Sequence, residues 1–430
     1  MASPSLHPRH AAPRVWLLVA GFVVLLFLLW PSADSALPHL SELSPSFANR
    51  FNLRPTPTLR VDASPGPVPI QDDAVVPATE WWQDVSIVYA WVNGTEPKFL
   101  ADKAATTGED MGDGRFRDDG LFRYSLRSID RYMPWHTGEI ILLSRREHIP
   151  DWIDLSQPRF RHVPLDEVMP ASAYPNFDAS AIEAYMHLIP GLTSRFLYLN
   201  DDFFLARPTS PELFFTPTGG VKLFREWDDV RDRVGDDTWT LSVKATGALI
   251  ESAYGTLPDK SIRVPAHAPY AFLRNALRNL HAHSKFGPAI RASAEHRVRW
   301  PGDINIHILH AAYAMFDTAV PSDLAAEIDD EHRAHFLAWT DEFELNDPNW
   351  HELVDSDAPF FNINDEMGDN SRPALEDLWH RLDAMYPKPS WLEKPHSRPP
   401  PPPPAPVVTT GDDDDKAKRL VRKRRAVPLS

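Results

Sequence analysis

The 430-residue chain has no cysteine. Disulfides, zinc–thiolate centres and cysteine nucleophiles are therefore excluded. Positive charge is in deficit: 44 Lys and Arg face 60 Asp and Glu, a net charge of −16. A chain of that sign repels a phosphate backbone, so no nucleic-acid partner is expected. A small phosphorylated substrate stays open, provided a metal ion or a few well-placed bases offset the carboxylates locally. Internal repeats are also lacking. One long apolar run stands out, Val15 to Trp30, preceded by Arg9 and Arg14 and ended by Pro31.

At ~1.5 Å per residue that run covers about 24 Å, which suits a thin bilayer. Positive charge ahead of it predicts a cytoplasmic N-terminus and a lumenal remainder. The expected layout is a tail over 1–14, a transmembrane signal anchor over 15–30 and a Pro/Ser-rich stem over 31–79. A cleaved signal peptide is the rival reading, because Ala33-Asp34-Ser35 loosely fits a cleavage site. Globular patterning spans 80–394, and 395–430 holds polyproline and opposed charge blocks expected to be disordered. At 43% hydrophobic and 11% aromatic, the chain can build a substantial core.

Within 80–394, strand and helix patterns alternate. Ser86–Val92, Glu139–Leu143, Arg159–Val163, Arg195–Leu199 and Val221–Phe224 read as strands. Phe122, Leu126, Ile129 and Met133 mark a helix face, Ala179–His187 looks helical, and 264–345 looks mainly helical. The fold class expected is α/β: a Rossmann-like layered domain around a largely parallel sheet, plus a helical region. Ligands in such sheets bind beyond the carboxyl ends of strands.

Asn200-Asp201-Asp202 ends an apolar strand. Hard oxygen ligands there suit Mg²⁺ or Mn²⁺ carrying a diphosphate, or else form a simple turn. Glu183 and His187 are four apart and would share a helix face, as an acid/base pair or a surface ion pair. His267, between Pro265 and Pro269, is expected just ahead of a helix marked by Tyr270, Leu273, Leu277 and Leu280, where an anion would be favoured. Arg297 and Arg299 precede Trp300-Pro301-Gly302-Asp303; an arginine can hold phosphate bidentately. Asn362-Ile363-Asn364-Asp365 repeats the strand-then-acid pattern. Asn93-Gly94-Thr95 is formally a glycosylation acceptor, but its place after a buried strand favours a structural or ligand-contact role.

Taken in order, these pieces resemble the Stealth family of sugar-phosphate transferases. Trp91-Val92-Asn93-Gly94-Thr95-Glu96-Pro97 looks like its first block. The run from Arg115 through Arg117, Asp118 and Arg123 to Asn200-Asp201-Asp202 is similar to the second. His267 with Arg299 and Asp303 resembles the third, and Asn362–Asp365 with Tyr386–Ser390 the fourth. Departures are Ser86 where the family has Asp, with Asp84 two residues earlier as a possible substitute, Ala90 before the Trp, and Glu96 before Pro97.

The resemblance implies a transfer of sugar-1-phosphate from a nucleotide-diphosphate sugar to a glycan hydroxyl, with release of a nucleoside monophosphate. It implies His267, Glu183, Asp202 and Arg299 as catalytic, and Asp201 with Asp202 as ligands of Mg²⁺ or Mn²⁺. Trp91, Asn93, Gly94, Arg117, Asp118, Arg123, Asn200, Asp303, Asn364 and Asp365 would contact substrate. The acceptor expected is a mannose-containing glycan or polysaccharide, and the location a Golgi or other secretory-pathway membrane. A metal-dependent glycosyltransferase releasing a nucleoside diphosphate and a non-catalytic glycan-binding protein are the alternatives. Oligomeric state, donor sugar and nucleotide are left open.

Overall fold

The computed structural model describes residues 82, 85–107, 116–258, 262–329, 333–368 and 371–395. The apolar run Val15–Trp30, the stem, Asp84, Arg115 and nearly all of the C-terminal tail lie outside them. Among the described residues no helix is long and apolar enough to cross a membrane.

A five-stranded sheet organises the chain. Strands β1 (Ser86–Ala90), β2 (Ile140–Ser144), β3 (Phe160–Pro164) and β4 (Arg195–Asn200) run parallel, and β8 (Tyr270–Leu273) closes the edge antiparallel, in the order β3-β2-β1-β4-β8. Every residue of β2 and β8 is buried. Strands covered on both faces read as continuous apolar runs rather than as alternation, which is why IILLS and YAFL look as they do. From β1 the chain moves outward to β2 and β3, then crosses back to β4 on the other side of β1. The topological switch therefore lies between β1 and β4, where α/β sheets place their ligands.

A two-residue step, Asp201-Asp202, leads from β4 into β5 (Phe203–Leu205) of a second sheet. There β10 (Ala334–Trp339) lies parallel to β11 (Phe360–Asp365), which pairs antiparallel with β5. A third small sheet joins β6 (Lys222–Asp229), β7 (Arg263–Pro265) and β9 (Glu327–Asp329).

The mixed α/β class with a parallel sheet holds. The expectation that 264–345 is mainly helical is only partly met. Helices Arg274–Ala282, Phe286–Glu295 and Ile306–Phe316 form, but β8, β9 and β10 also fall there. Tyr270 and Leu273 were expected on the helix with Leu277 and Leu280. They lie instead on β8, and the helix begins at Arg274. A short apolar run fits a buried strand as well as a helix turn, and pairing with β4 decides it. Leu277 and Leu280 are fully buried, so trimming either to Ala would cost ~2–5 kcal/mol.

Candidate active site

A cavity of about 810 Å³ opens beyond the carboxyl ends of β1, β2 and β4. Both signs of charge line it: Asp201 and Asp202, and Lys103, Arg145 and Arg299. Trp91 and Asn200 line it as well, the residues immediately after β1 and at the end of β4.

The carboxylates are crowded. Burial, then Asp202 and Asp118, push the Asp201 carboxyl well above its ordinary value. Burial raises Asp202 to about 7. Asp119 is pushed well up by burial and then by Asp365, Asp201 and Asp118. Burial also raises Asp118 and Asp365. Asp365 reaches this group because the Ile363 N–H donates to the Asp202 carbonyl at 3.1 Å, tying β11 to the end of β4. Negative charges held this close are relieved by protons or by a cation. Oδ1 of Asp202 is buried with no hydrogen-bond partner. A hard divalent cation fits that orphaned oxygen and the carboxylate set.

A second acid group has ligand atoms within 4.8 Å of one another: Glu96, Glu147 and His148. Its contacts are already accounted for. Glu96 accepts from the backbone N–H of Lys98 and Phe99, capping the helix Pro97–Thr107. Glu147 pairs with Arg145 at 3.1 Å. Nδ1 of His148 accepts from the Asn93 N–H, so its Nε2 carries the proton and has no lone pair for a metal. Helix capping and ion pairing explain this group.

The basic side of the cavity was partly missed in the sequence. Lys103 is buried, with its ammonium 4.3 Å from the centre of the Phe116 ring. Arg145 directly follows β2 and is 2% exposed. It donates to Asp102 and Glu147, and its Nη1 has no partner. The signal for Arg145 was available: a charged residue placed directly after a buried apolar strand. Lys103 had no comparable mark, since a lysine on a short helix reads as solvated. Arg299 was foreseen. It lines the cavity and faces Asp178 at 3.7 Å.

Glu183 is buried, but not beside His187. The helix Ala179–Ala184 ends before His187, whose Nδ1 meets the Ala184 carbonyl while its ring packs on His281. Glu183 instead accepts from the Tyr198 hydroxyl at 2.7 Å and lies 2.9 Å from Nε2 of His307. Burial pushes its carboxyl up, and His307, Tyr198 and Arg299 more than offset that, leaving it below the usual value. His307 was not foreseen. It sits on the first turn of the helix Ile306–Phe316, which is fixed by the Asn305 side chain accepting from the Ile308 N–H.

His267 does not stand at a helix N-terminus, because β8 follows it. It lines a second cavity of about 480 Å³ together with Asn362 and Phe336. Burial, then His307, push its imidazole down to about 4, while Glu183 pulls the other way. His267, His307 and Glu183 thus share one electrostatic neighbourhood.

Several residues expected to contact substrate lie outside the two cavities. Asn93, Gly94, Arg117, Arg123, Asp303 and Asn364 line neither cavity. Oδ1 of Asn93 closes a turn by accepting from Thr95. A Cβ on Gly94 would lie 1.8 Å from the Phe116 carbonyl oxygen, so its small size serves close backbone approach. Arg123 is 1% exposed, packed on Trp152 and paired with Glu393. Asp303 binds His296 and the Trp300 N–H, shaping the loop that carries Arg299. Asn364 donates to Glu366 at 3.4 Å. Arg117 pairs with Asp365 at 3.5 Å and Trp91 lies against Asp118, so Arg117, Asp118 and Asp365 act on the site from behind its walls. Ser86 bonds Thr193 at the amino end of β1, away from the cavity.

The fold and the site define an α/β protein whose switch-point crevice combines carboxylates with buried basic groups. The chain belongs to the Stealth family: the models of Stealth protein CR1, CR2 and CR3 (conserved regions 1, 2 and 3) match residues 83–110, 115–223 and 266–316. It is 31% identical over 323 residues to the exopolysaccharide phosphotransferase SCO6023 of Streptomyces coelicolor, covering 72% of this chain and 52% of that one. It is 26% identical over 244 residues to the capsular polysaccharide phosphotransferase fcs1 of Haemophilus influenzae, covering 54% and 65%. The chain spans about half the length of the Streptomyces relative. Among solved structures, the galactosyltransferase LgtC with donor and acceptor sugar analogues aligns at a TM-score of 0.37 and 8% identity, over 71% of this chain and 96% of that one. A likeness that weak carries no argument.

Proposed function

We propose that the protein moves a sugar-1-phosphate from a nucleotide-diphosphate sugar to a glycan hydroxyl. The observation that carries this is the 810 Å³ cavity, where Asp201 and Asp202 share a lining with Lys103, Arg145 and Arg299. The names of its relatives support the reading. A diphosphate needs positive charge around it, and the three basic side chains supply part of that. Asp201 and Asp202 would hold Mg²⁺ or Mn²⁺, which would supply the rest by offsetting charge on the phosphates.

The acceptor oxygen attacks the sugar-bearing phosphorus, the bridging P–O bond breaks, and a nucleoside monophosphate leaves. His267 takes the acceptor proton. Its lowered pKa keeps the ring neutral, so a nitrogen lone pair is free at neutral pH. Glu183 holds His307 and the Tyr198 hydroxyl in place. Arg299 and Arg145 bind phosphate oxygens as charge builds there. The acceptor class is a mannose-containing glycan or another polysaccharide.

The test is incubation with Mg²⁺ or Mn²⁺, a panel of nucleotide sugars and a mannoside, followed by identification of the released nucleotide. A monophosphate and a phosphodiester-linked product are expected. A diphosphate would move the protein to the glycosyltransferases. The apolar run after Arg9 and Arg14 supports a single-pass anchor in a Golgi or other secretory membrane, with the catalytic domain lumenal. Protease protection of residues 80–394 in intact vesicles is the expected result, and digestion would overturn it.

A further inference from the structure

In the second sheet, Phe203, Asn362 and Phe336 are register partners across β5, β11 and β10. Paired residues share a face, so the Asn362 amide lies between two aromatic rings. The His267 ring meets both, with centroids 4.7 Å from Phe203 and 6.2 Å from Phe336. The 480 Å³ cavity is lined by His267, Asn362 and Phe336. Asn362 is 0% exposed, yet its Oδ1 and its Nδ2 both lack a hydrogen-bond partner. Leaving a buried polar group unpaired is costly, so an amide with both unpaired points to a partner from outside the chain. Phe336, 53% exposed at the rim, offers a flat apolar face to the same space.

The missing ligand must both donate and accept at Asn362, and must have an apolar face. Its charge follows from the lining. Four charged residues line the cavity, Arg225 and Arg333 against Glu226 and Glu352, so the signs balance, and Arg333 is paired with Asp329 and Glu226 with Arg233. A phosphate or carboxylate ligand is disfavoured, and a neutral one rich in hydroxyls is favoured. We infer that the second cavity is a carbohydrate subsite, in which Asn362 reads two neighbouring hydroxyls of a pyranose and Phe336 stacks on its apolar face. The sugar is held beside His267, on the strand row that begins next to Asp202. Its role as the acceptor subsite rests on the phosphotransferase reading; the binding itself does not.

The experiment is titration of the full chain, without nucleotide sugar, with maltose, cellobiose and mannobiose, followed by saturation-transfer NMR and calorimetry. At least one should bind. Asn362→Leu and Phe336→Ala should each weaken it about tenfold or more. Val354→Ala, exposed and outside both cavities, should not. Phe336 is exposed, so F336A decides the matter if N362L fails to fold. Binding of none of the three sugars, or undiminished binding by F336A and any folded N362L, would overturn the subsite. Intact sugar binding with no nucleotide release from any donor would instead sink the transferase reading and leave the subsite standing.

Discussion

The two cavities solve opposite problems. The first gathers charge at the switch point of the parallel sheet, with crowded carboxyls beside buried Lys103 and Arg145. The second balances two arginines against two glutamates and presents an amide and an aromatic ring. A site made of strong unlike charges suits a polyanion and a cation. A site made of unpaired neutral hydrogen-bonding groups suits a sugar. One chain carrying both can hold two chemically dissimilar substrates without either site competing for the other's ligand.

The comparison breaks most sharply at Asp202. Asp202→Ala should lower turnover on the order of a thousandfold, the scale for removing one preorganised electrostatic group, measured as released monophosphate. Sugar binding in the second cavity should persist. Arg145→Ala should raise the donor KM about thirtyfold, as expected when one partner of a buried charge pair is truncated. The acceptor KM should stay unchanged; a shift in it instead would mean the two cavities are not separate.

The cavities should also differ in pH response. Folding holds His267 neutral at a pKa of about 4, against ~6.5 unfolded. Its contribution is complete above pH ~6.5 and lost as pH falls toward 4. His148 and His281, also lowered to about 4 by burial, and His187 and His310, lowered to about 3, act in the same direction. Asp202 has the reverse sign. Its folded pKa of about 7 exceeds ~3.9 unfolded, so its contribution is present below pH ~4 and lost as pH rises through 7. Urea midpoints across pH 4 to 8 should therefore rise at the alkaline end in Asp202→Asn and hold up better at the acid end in His267→Asn. The smallest effect is at Glu96. Glu96→Gln should cost about 1 kcal/mol through the weakened helix cap, with Mg²⁺-dependent thermal shifts unchanged. A lost metal response there would transfer the cation site from the Asp pair to the Glu96 group.

How much of this was legible in the sequence differs by element. The parallel strands were, because fully buried strands are continuous apolar runs with few rivals. Asp201 and Asp202 were, because acids at the end of such a run fall at the crevice. β8 was not, since four apolar residues fit two periodicities until a partner strand is known. The partners of Arg123 and Arg117 were not legible because a sequence shows a charge but not its counter-charge; Glu393 and Asp365 lie far along the chain. His307 and Asn362 were invisible for a related reason. Their significance is a partner 2.9 Å away in one case and the lack of any in the other.

Asp201 and Asp202 are also the whole covalent link between the parallel sheet and the β5–β11–β10 sheet at that point of the chain. A hinge of two residues, clamped by the Ile363 N–H on Asp202, leaves no slack between the modules. Replacing the β10-to-β11 segment should therefore change which glycan is modified while the donated sugar stays the same, so specificity for each can diversify separately across lineages.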